Sequence, residues 1–168
     1  MLPNLISIPV MLIFSVFQTV AVGRLNILSG SADIVLLSII SWGVSEKDTS
    51  VFVWALAGSM FISLMTAMPT PAVFIAYLAV AGITWFIHKG LWQSPILAVL
   101  LSTIIATLVK FLIDVIGLQF IGVNFGFLTA VIEILLPGLI LNIFFLFPTY
   151  LVISDLSKWI SPKEEYAS

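Results

Sequence analysis

Long apolar runs, broken by short polar punctuation, dominate this chain. A membrane-spanning helix needs about 20 mostly apolar residues, and six candidates can be read off in order. The first is Leu5–Val22, ending at Gly23-Arg24. A loop over Leu25–Ser31 leads to a shorter run, Ala32–Val44, with Ser31 placed to cap it and Asp33 in its first turn, where a negative charge suits the helix dipole. The loop Ser45–Ser50 holds Glu46, Lys47 and Asp48, and the third run is Val51–Met68. Pro69-Thr70-Pro71 reverses the chain, with Thr70 as cap and Pro71 at the first helical position of a fourth helix running to about Ile87. His88, Lys89 and Gly90 close it. Ser94-Pro95 repeats the device and opens a fifth helix to about Ile116. Gly117–Gly126 reads as an interfacial turn or a short re-entrant piece. The sixth helix runs from about Phe127 to Ile153, with Pro137 and Pro148 inside it and expected to kink it.

These runs are apolar all round, whereas strands of a membrane barrel alternate polar and apolar residues. The pattern therefore predicts an all-α integral membrane protein, a bundle of six transmembrane helices over residues 1–153 with a short polar tail over 154–168. Composition agrees: 61% of the 168 residues are hydrophobic and 8% charged, against about half and about a quarter in a soluble domain. The first run has no basic residue before it and no small-residue cleavage site behind it, so it reads as a retained helix rather than a signal peptide. The net charge of -2 argues against a nucleic-acid partner, and the absence of cysteine removes disulfides and thiolate metal sites.

Six spans place both termini on one side. The loops and tail on that side carry Lys47, Lys89, Lys158 and Lys163, while the opposite loops carry Arg24. By the positive-inside rule both termini are cytoplasmic in a bacterial inner membrane.

Ionisable residues at membrane depth are costly and mark candidate sites. Lys110, Asp114 and Glu133 fall within or near the apolar runs, and Arg24 and Asp33 flank the first outer loop. Lys110 and Glu133 lie at similar depth, about two turns from the outer helix ends, and Asp114 follows Lys110 by one turn on the same face. These five form a candidate polar seam for a partner helix or a lipid headgroup. The plainer reading is that Lys110 snorkels outward and pairs with Asp114 while the others are rim charges. Gln18 and Asn142, inside apolar runs, read as hydrogen-bonding glue between helices. Ser63, Thr66 and Ser102 are expected to bond their own helix carbonyls. Ala55, Gly58 and Ser59 form a small-residue face, His88 an interfacial helix end, and Trp42, Trp54, Trp85, Trp92 and Trp159 an aromatic belt. No metal cluster, catalytic triad, phosphate loop or activated nucleophile is visible, so neither enzymatic activity nor a cofactor is expected.

Several of these segments resemble the rod shape-determining MreD family. Asp33-Ile34-Val35-Leu36-Leu37, continuing to Trp42-Gly43, is similar to that family's second segment, with Ala32 where a proline is usual. Gly58 and the Met68-Pro69 turn fit its third helix and following turn. The most specific match is Leu135-Leu136-Pro137-Gly138-Leu139-Ile140-Leu141-Asn142, similar to a family LP-x-x-L-L-N motif, with Pro137 and Asn142 as motif positions. Ser63 stands near the place of an aspartate that many members carry, and Pro71 replaces a usual glycine. The resemblance implies a fold similar to the S components of energy-coupling-factor transporters. It also implies a scaffold of the elongasome, the bacterial cell-elongation machinery. The implied partners are the bitopic protein MreC, the actin-like MreB, the glycosyltransferase RodA and a class B penicillin-binding protein. The alternative is an S component that binds a small vitamin. It would require a polar outward pocket and a small-residue docking face on the first helix, where this chain has bulky residues instead.

Overall fold

The computed structural model describes residues 2–20, 27–45, 50–91, 93–123 and 126–160. They form six helices: α1 (Leu2–Val20), α2 (Ile34–Ser45), α3 (Ser50–Met65), α4 (Thr70–Gly90), α5 (Pro95–Phe120) and α6 (Phe127–Ile160). Among the described residues there is no β-strand, only an isolated bridge between Ile27 and Gly30.

Three of these helices, α4, α5 and α6, are long and apolar enough to cross a membrane. The others are shorter, and α2, with 12 residues, rises only about 18 Å against a hydrocarbon thickness of about 30 Å. Its surroundings explain how so short a helix is accommodated. Every residue from Ile34 to Val44 is buried, and α2 touches all five other helices. A helix that is apolar all round belongs inside a protein or a membrane, and here protein covers it.

Small side chains let the neighbours close around α2. A Cβ on Gly58 of α3 would lie 2.8 Å from Val35 Cγ1 and 3.3 Å from Met11 Sδ. Ala55 and Ser59 are fully buried beside it, so the predicted small-residue face is the α3 packing surface. Ser7, Met11 and Ser15 of α1 are fully buried at four-residue spacing, while Leu5, Ile13 and Phe17 face outward. Gly117 packs against Ala72, where a Cβ would come within 2.8 Å of the alanine Cβ, and joins α4 to α5. That residue is therefore inside α5, which extends past the expected Ile116 to Phe120. The reversal follows at Gly122, whose φ of +84° suits glycine.

Other boundaries also differ from the sequence reading. Helix α2 begins at Ile34 rather than Ala32, and α3 ends at Met65 rather than Met68. Thr70 is the first residue of α4, preceded by Pro69, and does not cap it. Ser94 precedes Pro95 at the start of α5 but makes no side-chain cap bond. Helix α6 continues through the expected tail to Ile160; residues 161–168 lie outside the described residues.

The expected disturbance at Pro137 takes the form of a π-turn, Val131–Leu135, directly before it. Proline has no N–H to offer the carbonyl four residues back, which is Glu133 O. That oxygen instead accepts the Ser29 N–H at 3.0 Å. The neighbouring Gly30 sits so close that a Cβ would meet Ile134 O at 2.6 Å, Gly138 N at 2.7 Å and Pro137 Cβ at 2.9 Å. The turn Ile27–Gly30 is thus clamped onto α6. Two mutual backbone bonds between Ile27 and Gly30, 3.1 and 3.0 Å long, hold the turn, and Leu28 adopts a positive φ of 55°.

Trp42 and Trp54 are fully buried and stacked, with ring centroids 4.0 Å apart and planes at 14°. They are core residues rather than belt residues, because α2 draws its Trp inward and α3 supplies the matching face. Trp159 is 78% exposed, and Trp85 carries Lys89 Nζ 3.5 Å above its ring, a cation–π contact. Trp92 lies outside the described residues.

Candidate functional site

The C-terminal parts of α1, α3 and α5 and the N-terminal parts of α2, α4 and α6 meet at one end of the bundle. Consecutive helices therefore alternate in direction. At that end the buried start of α2 dictates the chemistry. The first N–H groups of a helix have no partner within it, and the start of α2 is buried. Side chains from three helices meet the need. Asp33 itself caps α2, its Oδ1 accepting the Leu36 N–H at 2.9 Å. Gln18 Oε1 of α1 accepts the Val35 N–H at 2.9 Å. Asn142 Oδ1 of α6 accepts the Asp33 N–H at 2.7 Å. Asp33 takes the cap position that the sequence reading gave to Ser31, which is exposed.

The same Asp33 anchors an ionic cluster. Tyr77 of α4 donates its hydroxyl to the Asp33 carboxylate, 3.1 Å from Oδ1 and 3.0 Å from Oδ2. Lys110 Nζ of α5 lies 3.5 Å from Asp33 Oδ2 and 2.7 Å from Asp114 Oδ2. Asn142 continues the network, its Nδ2 donating to Thr107 Oγ1 at 3.0 Å. Buried polar groups survive where each finds a partner, and this network ties α1, α2, α4, α5 and α6 together.

The five charged residues singled out in the sequence thus separate. Lys110, Asp114 and Asp33 come together. The Lys110–Asp114 pairing is present, but Lys110 also turns inward to Asp33. Glu133 does not pair with Lys110: its side chain is exposed on the π-turn, and its contribution to this end is the backbone carbonyl that holds Ser29. Equal depth did not place the two on facing surfaces: Glu133 lies nine residues before Asn142, about two and a half helical turns, so it falls on the side of α6 away from the Asn142 contact. Arg24 lies outside the described residues. Gln18 and Asn142 do bridge helices, through backbone N–H groups of α2 rather than through each other.

Among the minor expectations, Ser63 Oγ bonds Met60 O at 2.8 Å as foreseen. Thr66 Oγ1 instead receives the Met68 N–H at 3.3 Å and closes the turn after α3. Ser102 Oγ is buried with no hydrogen-bond partner among the described residues. Sequence reasoning missed Tyr77 and Thr107. Thr107, Lys110 and Asp114 form a stripe at i, i+3 and i+7, which was a readable signal; Tyr77 gave only that of a hydroxyl inside an apolar run.

Two adjoining cavities flank the cluster. One, of about 280 Å³, is bounded by Gln18, Met65, Thr66, Tyr77, Lys110 and Asp114. The other, of about 220 Å³, is bounded by Ser31, Asp33, Thr107, Asp114, Gly138 and Asn142. Gln18, Ser31, Lys110 and Asp114 line both, so the Lys110 side chain stands between them. Among the described residues no group of three His, Asp or Glu side chains could hold a metal ion. No protein-family model, curated protein or solved structure matches this chain.

Proposed function

We propose that this chain is a non-catalytic membrane scaffold of the bacterial cell-elongation machinery, similar to the MreD family, that binds a bitopic MreC-like partner. In this reading all six helices pass through the inner membrane with both termini cytoplasmic. The alternating directions of the helices support six passes, and protein on all sides lets α2 cross despite its length. RodA, a class B penicillin-binding protein and MreB belong to the same proposed assembly.

The observation that carries the reading is the 2.7 Å bond from the Asp33 N–H to Asn142 Oδ1. The two segments that resemble the family, around Asp33-Ile34-Val35-Leu36-Leu37 and around Leu135-Leu136-Pro137-Gly138-Leu139-Ile140-Leu141-Asn142, are far apart in sequence. They meet here through their acidic and amide positions. Pro137 takes part as well, by releasing the Glu133 carbonyl to the loop that precedes Asp33. Asp33, Asn142 and Pro137 of the resembling segments thus share one contact region, which suits a rigid scaffold.

The cavities favour a second reading, an S component that binds a small solute. Each is smaller than the roughly 300–1,000 Å³ usual for drug-sized ligands, at about 280 and 220 Å³, but the two adjoin, so size alone does not decide between the readings. Affinity purification of the tagged full chain from its native membrane tests the choice. Copurification with a single-span MreC-like protein is the expected result. Recovery with an ATPase-coupled membrane subunit and a bound vitamin, without the bitopic partner, would replace the scaffold by the transporter reading.

A further inference from the structure

We propose that the cleft around Lys110 and Asp114 binds a primary ammonium group, supplied by the headgroup of an ethanolamine lipid or by a small soluble amine. The proposal rests on the cavity and its charge and holds under either reading of the protein's function.

Its first support is a count of charges. Two carboxylates, Asp33 and Asp114, share one cation, Lys110. Among the described residues the cluster holds one more carboxylate than it has cations, at a depth where an uncompensated charge is costly. An anion would meet that excess and be repelled, so the cleft favours a cation.

Its second support is the allocation of acceptor sites. Asp33 is committed: its carboxylate accepts the Leu36 N–H, the Tyr77 hydroxyl and Lys110. Asp114 differs. Its Oδ2 takes Lys110 Nζ, while its Oδ1 accepts no hydrogen bond among the described residues. Asp114 lines both cavities, so this carboxylate, with one oxygen uncommitted among the described residues, stands at the cleft rather than inside packed side chains.

The walls select among cations. A divalent metal needs several anionic or carbonyl oxygens around it, and here Lys110 occupies the position between the two carboxylates. A primary ammonium has three N–H donors on a small head. Asp114 can accept one, and the hydroxyl oxygens of Ser31 and Thr66 on the cavity walls are of the type that accepts the others. Cavities of about 280 and 220 Å³ are ample for an aminoethyl group.

The test uses the full chain purified in a mild detergent, with thermal unfolding as the readout. Phosphatidylethanolamine is expected to raise Tm, phosphatidylcholine to do so less because its quaternary nitrogen has no N–H, and phosphatidylglycerol least. Asp114→Asn is expected to lose at least half of the phosphatidylethanolamine shift, whereas Glu133→Gln, on the exposed face of the π-turn, keeps it. Free ethanolamine, compared with uncharged ethylene glycol, separates the sources. A shift with ethanolamine alone assigns a soluble amine, and a shift with the lipid alone assigns the headgroup. Equal responses of the wild-type chain to phosphatidylethanolamine and phosphatidylglycerol, with none to ethanolamine, would overturn the proposal without recourse to any variant.

Discussion

Asn142 and Asp33 are joined at the buried start of α2, with the side-chain oxygen of one receiving the backbone N–H of the other at 2.7 Å. The amide of Asn142 simultaneously donates to Thr107, so one side chain serves two elements. Removing it strands a buried N–H, which costs about 1–3 kcal/mol. Asn142→Leu is therefore expected to lower stability by that amount. Thr107→Val, which removes only a partner of Asn142, should cost about 0.5–1.5 kcal/mol. Thermal or denaturant unfolding in detergent measures both. An Asn142→Leu protein that unfolds like the wild type would show that the bond does not hold α2.

Lys110 keeps two carboxylates in one place. Taking away one member of a buried ion pair costs about 3–5 kcal/mol, because the remaining charge is left uncompensated. The Lys110 and Asp114 side chains remain 21% and 25% exposed, so Lys110→Met is expected near the lower end, about 3 kcal/mol. The double change Lys110→Met with Asp114→Leu should be less destabilising than Lys110→Met alone, since one of the two stranded charges goes with it. Charge reversal gives a sharper comparison. Exchanging Lys110 and Asp114 should recover part of what each single reversal loses, whereas Lys110→Glu with Glu133→Lys should recover nothing, because Glu133 faces away. Rescue by the Glu133 exchange would contradict the outward, exposed placement of the Glu133 side chain.

How far the sequence foretold this arrangement depends on the kind of signal involved. Apolar runs bounded by proline and charge located every helix, since burial in any apolar surroundings leaves the same mark. They could not tell lipid from protein as the neighbour of α2, and so Trp42 and Trp54 were placed at an interface instead of in the core. The pair Lys110 and Asp114 was readable because a four-residue spacing is local. The link from Lys110 to Asp33 was not, for it depends on how α2 and α5 face each other. Glu133 was misplaced for a related reason: matching depth with Lys110 says nothing of direction around the helix, and the nine-residue spacing from Asn142 puts Glu133 on the other side of α6.

Gly30 offers a test of the clamp between the first loop and α6. The atoms within 3 Å of an added Cβ are Ile134 O, Gly138 N and Pro137 Cβ, backbone and ring atoms that cannot rotate aside. Gly30→Ala is expected to destabilise by about 1–3 kcal/mol, the usual range for overpacking. The displaced turn should also release the bond from the Ser29 N–H to Glu133 O. Hydrogen exchange followed by mass spectrometry should then show faster exchange in the segment containing Ser29, while the segment over Val35–Val44 stays protected. Unchanged exchange at Ser29 would mean that the turn is held by something other than this contact.

The stacked indoles of α2 and α3 are unequal partners. Trp42 Nε1 donates to Ser50 Oγ at 3.0 Å, whereas Trp54 Nε1 is buried with no hydrogen-bond partner among the described residues. Replacing Trp54 by Phe trims the ring but also removes a donor whose burial without a partner costs about 1–3 kcal/mol. The two effects oppose each other. Trp42→Phe has no such offset, because it gives up a made bond and leaves the Ser50 hydroxyl without its donor. Trp54→Phe is therefore expected to be the milder change, with a difference of about 1 kcal/mol between the two, while Trp54→Ala should cost about 3–5 kcal/mol. Both Phe variants should abolish the exciton couplet that a close indole pair gives in far-ultraviolet circular dichroism, so the optical signal reports the stack and the unfolding midpoint reports the hydrogen bond. If Trp54→Phe proves the more damaging of the two, the Trp54 N–H has a partner that this arrangement of α2 and α3 does not provide.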